Sequence, residues 1–301
     1  MNRFYLSLFI LVLLLSFGCT GPASSNSQKP IIAVTSYPLY DFTKNVVNED
    51  DFEIWLMLPP GLNAHSYEPT PSDLVKLSKA EVFIYTNDNF EFWANKLQKS
   101  VNNPNLLVIK ASNQVQLVKP ADETLGHVDP HTWLSPKAAI LHVKEISQKL
   151  SQKYPQKASF INQKTSSYLI KLDSLDYDYA NTTKTCNHRE MFVSHAAFGY
   201  LVKDYNLTQI PIVKNFDPQG DVSLADLQHV IDAAKEKNAS HIFFEDFISP
   251  KLSESIAREI NGTTAIFSPM EAYSALQLTG DSYVDIMSRN LDTLSEALDC
   301  G

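Results

Sequence analysis

Glycine is scarce: nine residues in 301, with no Gly-x-Gly-x-x-Gly and no Gly-x-x-x-x-Gly-Lys-Ser/Thr among them. That excludes the usual glycine-rich loops whose backbone N–H groups cradle a dinucleotide or a triphosphate. His-Glu-x-x-His and Cys-x-x-Cys are also missing, which removes the familiar zinc-protease and thiol-redox motifs. Basic residues are the minority, 25 against 34 acidic ones, and a net charge of −9 gives no sequence-independent hold on nucleic acid. No apolar run approaches the ~20 residues needed to span a bilayer. With 44% hydrophobic and 20% charged residues the composition is that of an ordinary folded protein. Its 301 residues are about twice the usual domain length, so two core-forming units are expected.

What is present begins with an export signal. Met1-Asn2-Arg3 precedes an apolar run from Phe4 to Phe17, the charged and hydrophobic parts of residues 1–18. Gly18-Cys19 and a polar stretch follow, and the arrangement resembles a lipoprotein signal, with cleavage before Cys19, lipid on its sulfur, and residues 19–30 as a flexible tether. Ser16 and the bulky Phe17 depart from the commonest form of that signal, so plain secretion and an uncleaved anchor are the alternatives. Lipid at Cys19 leaves Cys186 and Cys300 as an even pair in an oxidising compartment, where a disulfide is expected and two buried free thiols are the alternative.

Short apolar, β-branched runs at 31–36, 53–57, 82–86, 106–109, 191–194, 209–213, 241–245 and 263–267 read as strands, four in each half. Thr70-Pro71, Ser135-Pro136 and Ser249-Pro250 read as helix openings, with a hydroxyl residue at the cap and proline at the first helical position. The alternation predicts an α/β protein of two lobes, each a mostly parallel four-stranded sheet flanked by helices. Residues 138–181 carry no strand signal. Within them 156–179 has helical spacing through Phe160, Tyr168, Leu169, Leu172 and Leu175 and no glycine, a rod that would join the lobes stiffly. The expected organisation is an N-terminal lobe over 31–154, a linker helix over 155–182 and a C-terminal lobe over 183–301.

Three of the eight histidines sit where chemistry is expected. His65 follows the turn Pro59-Pro60-Gly61 after a strand, His131 lies in Asp129-Pro130-His131 before a helix, and His195 directly follows a strand. Open α/β sheets bind ligands outside the carboxyl ends of their strands. Three neutral imidazoles suit Zn²⁺, whereas Mg²⁺ and Ca²⁺ want oxygen. From spacing alone, a shared metal site and three unrelated loop histidines both stay open.

The stretches Gly61-Leu62-Asn63-Ala64-His65-Ser66-Tyr67-Glu68-Pro69, Asp129-Pro130-His131-Thr132-Trp133 and Ser194-His195-Ala196-Ala197-Phe198-Gly199-Tyr200 resemble the zinc/manganese class of solute-binding proteins of ABC importers, nearest to its zinc-binding members. The resemblance implies metal held between two lobes that one long helix joins, with His65 and His131 as ligands from the first lobe and His195 from the second. Manganese-type members commonly carry Glu where His195 stands, which favours zinc here. Where the family usually offers an Asp after the last strand, this chain reads Phe267-Ser268-Pro269-Met270. The fourth position therefore stays open among a water, Glu245 and Ser268, the last two standing either on the metal or just behind its ligands. The histidine-rich loop of many zinc-specific relatives is absent before His131, and His127 is its remnant or an exposed residue without a role.

The implied function is capture of Zn²⁺ outside the cytoplasm by a monomer, lipid-anchored at the cell surface or in the periplasm, and delivery to the membrane permease of an ABC importer, with no catalysis. The alternatives are a manganese or iron receptor of the same fold, a zinc enzyme using an open fourth position, and an adhesin with a structural metal.

Overall fold

The computed structural model describes residues 29–119, 128–218, 220–246, 249–272 and 280–301. The export signal over 1–18, Cys19, nearly all of the tether and His127 lie outside the described residues. Among those described, no helix is long and apolar enough to cross a membrane.

In the first lobe the short apolar runs form a parallel sheet. β1 (Ile31–Val34), buried at every residue, pairs with β2 (Glu53–Leu56) on one side and β3 (Val82–Tyr85) on the other. β4 (Leu107–Lys110) adds beyond β3, giving the order β2-β1-β3-β4. Val34 stands opposite both Leu56 and Ile84, so the three inner strands finish level and their following loops leave from one edge. Helices α1 (Tyr37–Lys44), α2 (Pro71–Leu77) and α3 (Ala94–Ser100) intervene. The Thr70 side chain accepts from Asp73 N while the Asp73 carboxylate accepts from Thr70 N, a capping box that fixes where the loop after β2 ends.

α4 (Pro136–Lys153) opens as expected on the Ser135 cap. A short 3₁₀ turn at Pro155–Lys157 then leads into α5 (Ala158–Thr185), 28 residues or about 42 Å of helix. Its buried stripe runs through Ile161, Thr165, Tyr168, Leu172, Leu175, Tyr179 and Thr183. Phe160, which the spacing placed in that stripe, is 43% exposed, because the helix turns Ile161 to the core instead.

In the second lobe β5 (Glu190–His195), α6 (Gly199–Asp204), β6 (Thr208–Val213), α7 (Leu224–Glu236), β7 (His241–Phe244), α8 (Lys251–Glu259) and β8 (Thr263–Ile266) alternate. The expected continuous four-stranded ladder is instead two parallel pairs, β5 with β6 and β7 with β8. At the seam between the pairs the Ser194 hydroxyl donates to the Phe243 carbonyl at 3.3 Å. α8 starts one residue later than its proline suggested, with Pro250 itself as the N-cap and no capping side chain.

The last helix, α9 (Tyr283–Ala297), returns toward the first lobe. The Tyr283 ring meets Phe42 of α1 edge-on at 4.8 Å, and the Tyr179 hydroxyl of α5 donates to Met287 O at 2.7 Å. Buried side chains from Ile31 to Leu298 consequently form one apolar core through both lobes and α5. A smaller cluster, including Phe192, Ile212, Val230, Ile242 and Ile256, fills the outer side of the second lobe.

Cys186 and Cys300 form the expected disulfide, closing a 114-residue interval and joining the end of α5 to the chain terminus. The chain-entropy model assigns a loop of that size about 5 kcal/mol, an upper figure because strain and residual unfolded structure reduce measured gains. Reduction is expected to lower the melting temperature by several degrees, and mass spectrometry after alkylation without reduction should find neither residue labelled. Unchanged melting on reduction would mean the crosslink contributes nothing.

Candidate metal centre

Four side chains from four separate segments meet where the two lobes face one another. Ligand atoms of His65, His131, His195 and Glu271 all lie within 4.8 Å of one another, the one such grouping among the described residues. His195 is the last residue of β5. His131 sits at the entry to a 3₁₀ turn, Thr132–Leu134, that leads into α4. His65 lies on the loop after β2, which Gly61 bends at φ +79°, a conformation that a side chain disfavours. Its backbone N–H donates to Asn63 Oδ1 at 2.8 Å.

Sequence reasoning missed Glu271. It follows Met270, which takes φ +54°, an uncommon conformation for a residue with a side chain. Strain of this kind, worth roughly 1–3 kcal/mol, collects at functional sites. The segment is then tied to the opposite lobe: Ala64 N donates to Glu271 O at 3.3 Å, and Asn63 pairs with Ala272 in an isolated antiparallel bridge.

The two other proposed donors lie elsewhere. Ser268 donates its hydroxyl to Asp246 Oδ1 at 3.0 Å, and its backbone N–H is held by Asn290 Oδ1. Glu245 Oε1 lies 2.5 Å from His195 Nδ1, on the ring edge away from the cluster, and so orients that ring. Asp129 does the same for His131, accepting from its Nδ1 at 2.8 Å and its backbone N–H at 2.9 Å. A carboxylate on Nδ1 fixes the proton there and frees Nε2 as the lone-pair donor.

The interior spacing suits a small ion. Glu271 Oε1 is 2.9 Å from His131 Nε2 and 3.0 Å from His195 Nε2, Glu271 Oε2 is 3.3 Å from His65 Nε2, and the Nε2 atoms of His65 and His131 are 3.1 Å apart. Tetrahedral zinc with bonds of about 2.0–2.1 Å places its donors roughly 3.3 Å apart. His131, His195 and Glu271 are wholly buried, and Glu271 Oε2 accepts no hydrogen bond. A buried carboxylate oxygen without a donor is costly unless a cation faces it. Phe90 closes one wall, edge-on to His65 at 5.0 Å and against Trp133 at 4.7 Å.

The electrostatics are those of carboxylates interleaved with imidazoles. Burial would push the Glu271 carboxyl up, but His195, His65 and His131 outweigh it and hold the group well below the ordinary carboxylate range. Burial would likewise strip the proton from His195, yet Glu271 and Glu245 raise it well above the ordinary histidine range. His131 is raised for the same reason, by Glu271 and Asp129 against burial. Burial keeps Glu245 above its ordinary value.

Residues 32–297 match the family model described as the periplasmic component A of the zinc-uptake complex, ZnuA. The chain belongs to the ZnuA family. It is 33% identical over 290 residues to the high-affinity zinc uptake system protein ZnuA of Bacillus subtilis (strain 168), covering 92% of this chain and 90% of that protein. It is 30% identical over 311 residues to the zinc-binding lipoprotein AdcA of Streptococcus pneumoniae (strain ATCC BAA-255 / R6), covering 99% of this chain but 62% of that longer protein. The crystal structure of the Zn(II)-bound ZnuA-like domain of S. pneumoniae AdcA superposes with a TM-score of 0.80 at 32% identity, covering 90% of this chain and all of that one. Family membership and the two-lobed α/β architecture thus agree.

Proposed function

We propose that the protein is an extracytoplasmic solute-binding lipoprotein that captures Zn²⁺ with His65, His131, His195 and Glu271 and hands it to the permease of an ABC importer. The buried four-donor cluster between the lobes carries this reading. Three imidazoles and one carboxylate form a borderline-soft set that prefers zinc to manganese, with the carboxylate offsetting half of the ion's charge. Enclosure favours capture over catalysis: a catalytic zinc keeps one coordination position for water, whereas here four protein donors converge and even His65 exposes only 11% of its side chain. We place the protein as a monomer on the membrane surface, held by lipid at Cys19 with residues 19–30 as its tether.

Metal analysis of protein purified without added metal should find about one zinc per chain, and direct competition should favour Zn²⁺ over Mn²⁺ by two orders of magnitude or more, about what the ordering of divalent ions gives for a nitrogen-rich shell. Manganese retained against equimolar zinc would overturn the assignment.

A further inference from the structure

We propose that Tyr200, a residue of the second lobe, positions the first-lobe ligand His131 across the lobe boundary by holding the backbone of Asp129. The proposal rests on the reading of His131 as a zinc ligand.

Asp129 controls His131 twice, through the ring Nδ1 and through the backbone N–H. What fixes Asp129 is a junction of two segments. Its N–H donates to Val118 O at 3.0 Å, tying together the residues that flank 119–128. A hydroxyl links the same two residues a second time: Val118 N donates to Tyr200 Oη at 3.2 Å, and Tyr200 Oη donates to Asp129 O at 3.0 Å.

Both atoms that the hydroxyl joins belong to the first lobe, and Tyr200 sits in α6 of the second, buried with 3% of its surface exposed. Its neighbour permits the approach. A Cβ at Gly199 would lie 2.2 Å from Asp129 Oδ2, so a larger residue there would force the Asp129 carboxylate or α6 to shift. The orientation of His131 therefore depends on a residue five positions after His195 in the chain.

Tyr200→Phe keeps the ring that fills this space and removes only the hydroxyl. Losing one hydrogen bond that orients a ligand is expected to weaken zinc binding about tenfold, measured by competition with a chromophoric chelator, with the metal-free protein melting within a few degrees of wild type. The deciding measurement is a double-mutant cycle. In a His131→Ala background Tyr200→Phe should change zinc affinity by less than about twofold, because the group it positions is gone. Cobalt-loaded Tyr200→Phe should also show altered visible bands, which report ligand geometry directly. A tenfold loss repeated in the His131→Ala background would assign Tyr200 a structural role and overturn the proposal, as would no loss in the wild-type background. Failure of the ligand reading itself would show separately, as unchanged zinc affinity in the single His131→Ala variant.

Discussion

His65→Ala, His131→Ala and His195→Ala should each lose about two to three orders of magnitude in zinc affinity. Structural zinc sites bind with about 10–16 kcal/mol, so one donor of four carries roughly 2.5–4 kcal/mol, and each 1.4 kcal/mol is tenfold. His195→Ala is expected to be the most damaging, because its ring stands between Glu245 and Glu271 and contacts both. Without it, two carboxylates at a buried site lose their shared partner, and the metal-free protein should melt lower as well. His65→Ala should leave stability nearly unchanged, since that ring is the one partly open to solvent. Chelator competition together with thermal melting checks both halves. Near-normal zinc affinity in any of the three would remove that residue from the coordination shell.

Zinc affinity should also fall steeply as the medium is acidified, beginning at a higher pH than ordinary histidines would give. Burial opposes protonation of His131 and His195, but Glu271 with Asp129 and Glu245 outweighs it, so both rings keep protons above the ordinary histidine range of about 6.5. Zinc must displace those protons. Where a ring is protonated in the free protein, binding weakens tenfold per pH unit for each proton released, so two rings give about a hundredfold per unit. The direction follows from the raised values: the decline starts earlier on acidification, whereas unperturbed imidazoles would hold affinity until about pH 6. Titrations from pH 8 to pH 5.5 settle the slope. A flat profile would mean that the imidazoles are not the groups bound to the ion.

The eight strands were legible in the chain because short β-branched apolar runs bounded by turn residues have few other solutions, and each run lies within a residue or two of its observed strand. The long helix was legible for a similar reason, an unbroken helical period without glycine. Which face it buries was not, since Phe160 and Ile161 are adjacent and equally apolar, and only packing against α4 and α9 decides between them. The places of His65, His131 and His195 at strand and helix ends left their convergence open, and it was the resemblance to the zinc/manganese class of solute-binding proteins that implied it. Glu271 was hidden by a backbone event: Met270 adopts a left-handed turn that methionine does not advertise, and this carries the donor three residues beyond Ser268, where the strand end had suggested it. Glu245 was read as a possible fourth donor or a residue behind the ligands, and its contact with His195 Nδ1 fits the second of these.

The bridge between Asn63 and Ala272 has a mechanical meaning. The rest of the boundary between the lobes is sealed by a core that continues through α5 and α9, and prising it apart would expose apolar surface on the scale of unfolding. The loop that carries His65, by contrast, is fastened to the Glu271 segment by a backbone hydrogen bond and a single residue pair. A lock of this kind gives way at its latch while the door frame stays rigid. If zinc is the cargo proposed above, its rate of release is expected to track how readily the loop after β2 lifts, and hydrogen exchange at the Ala64 amide should report that lifting.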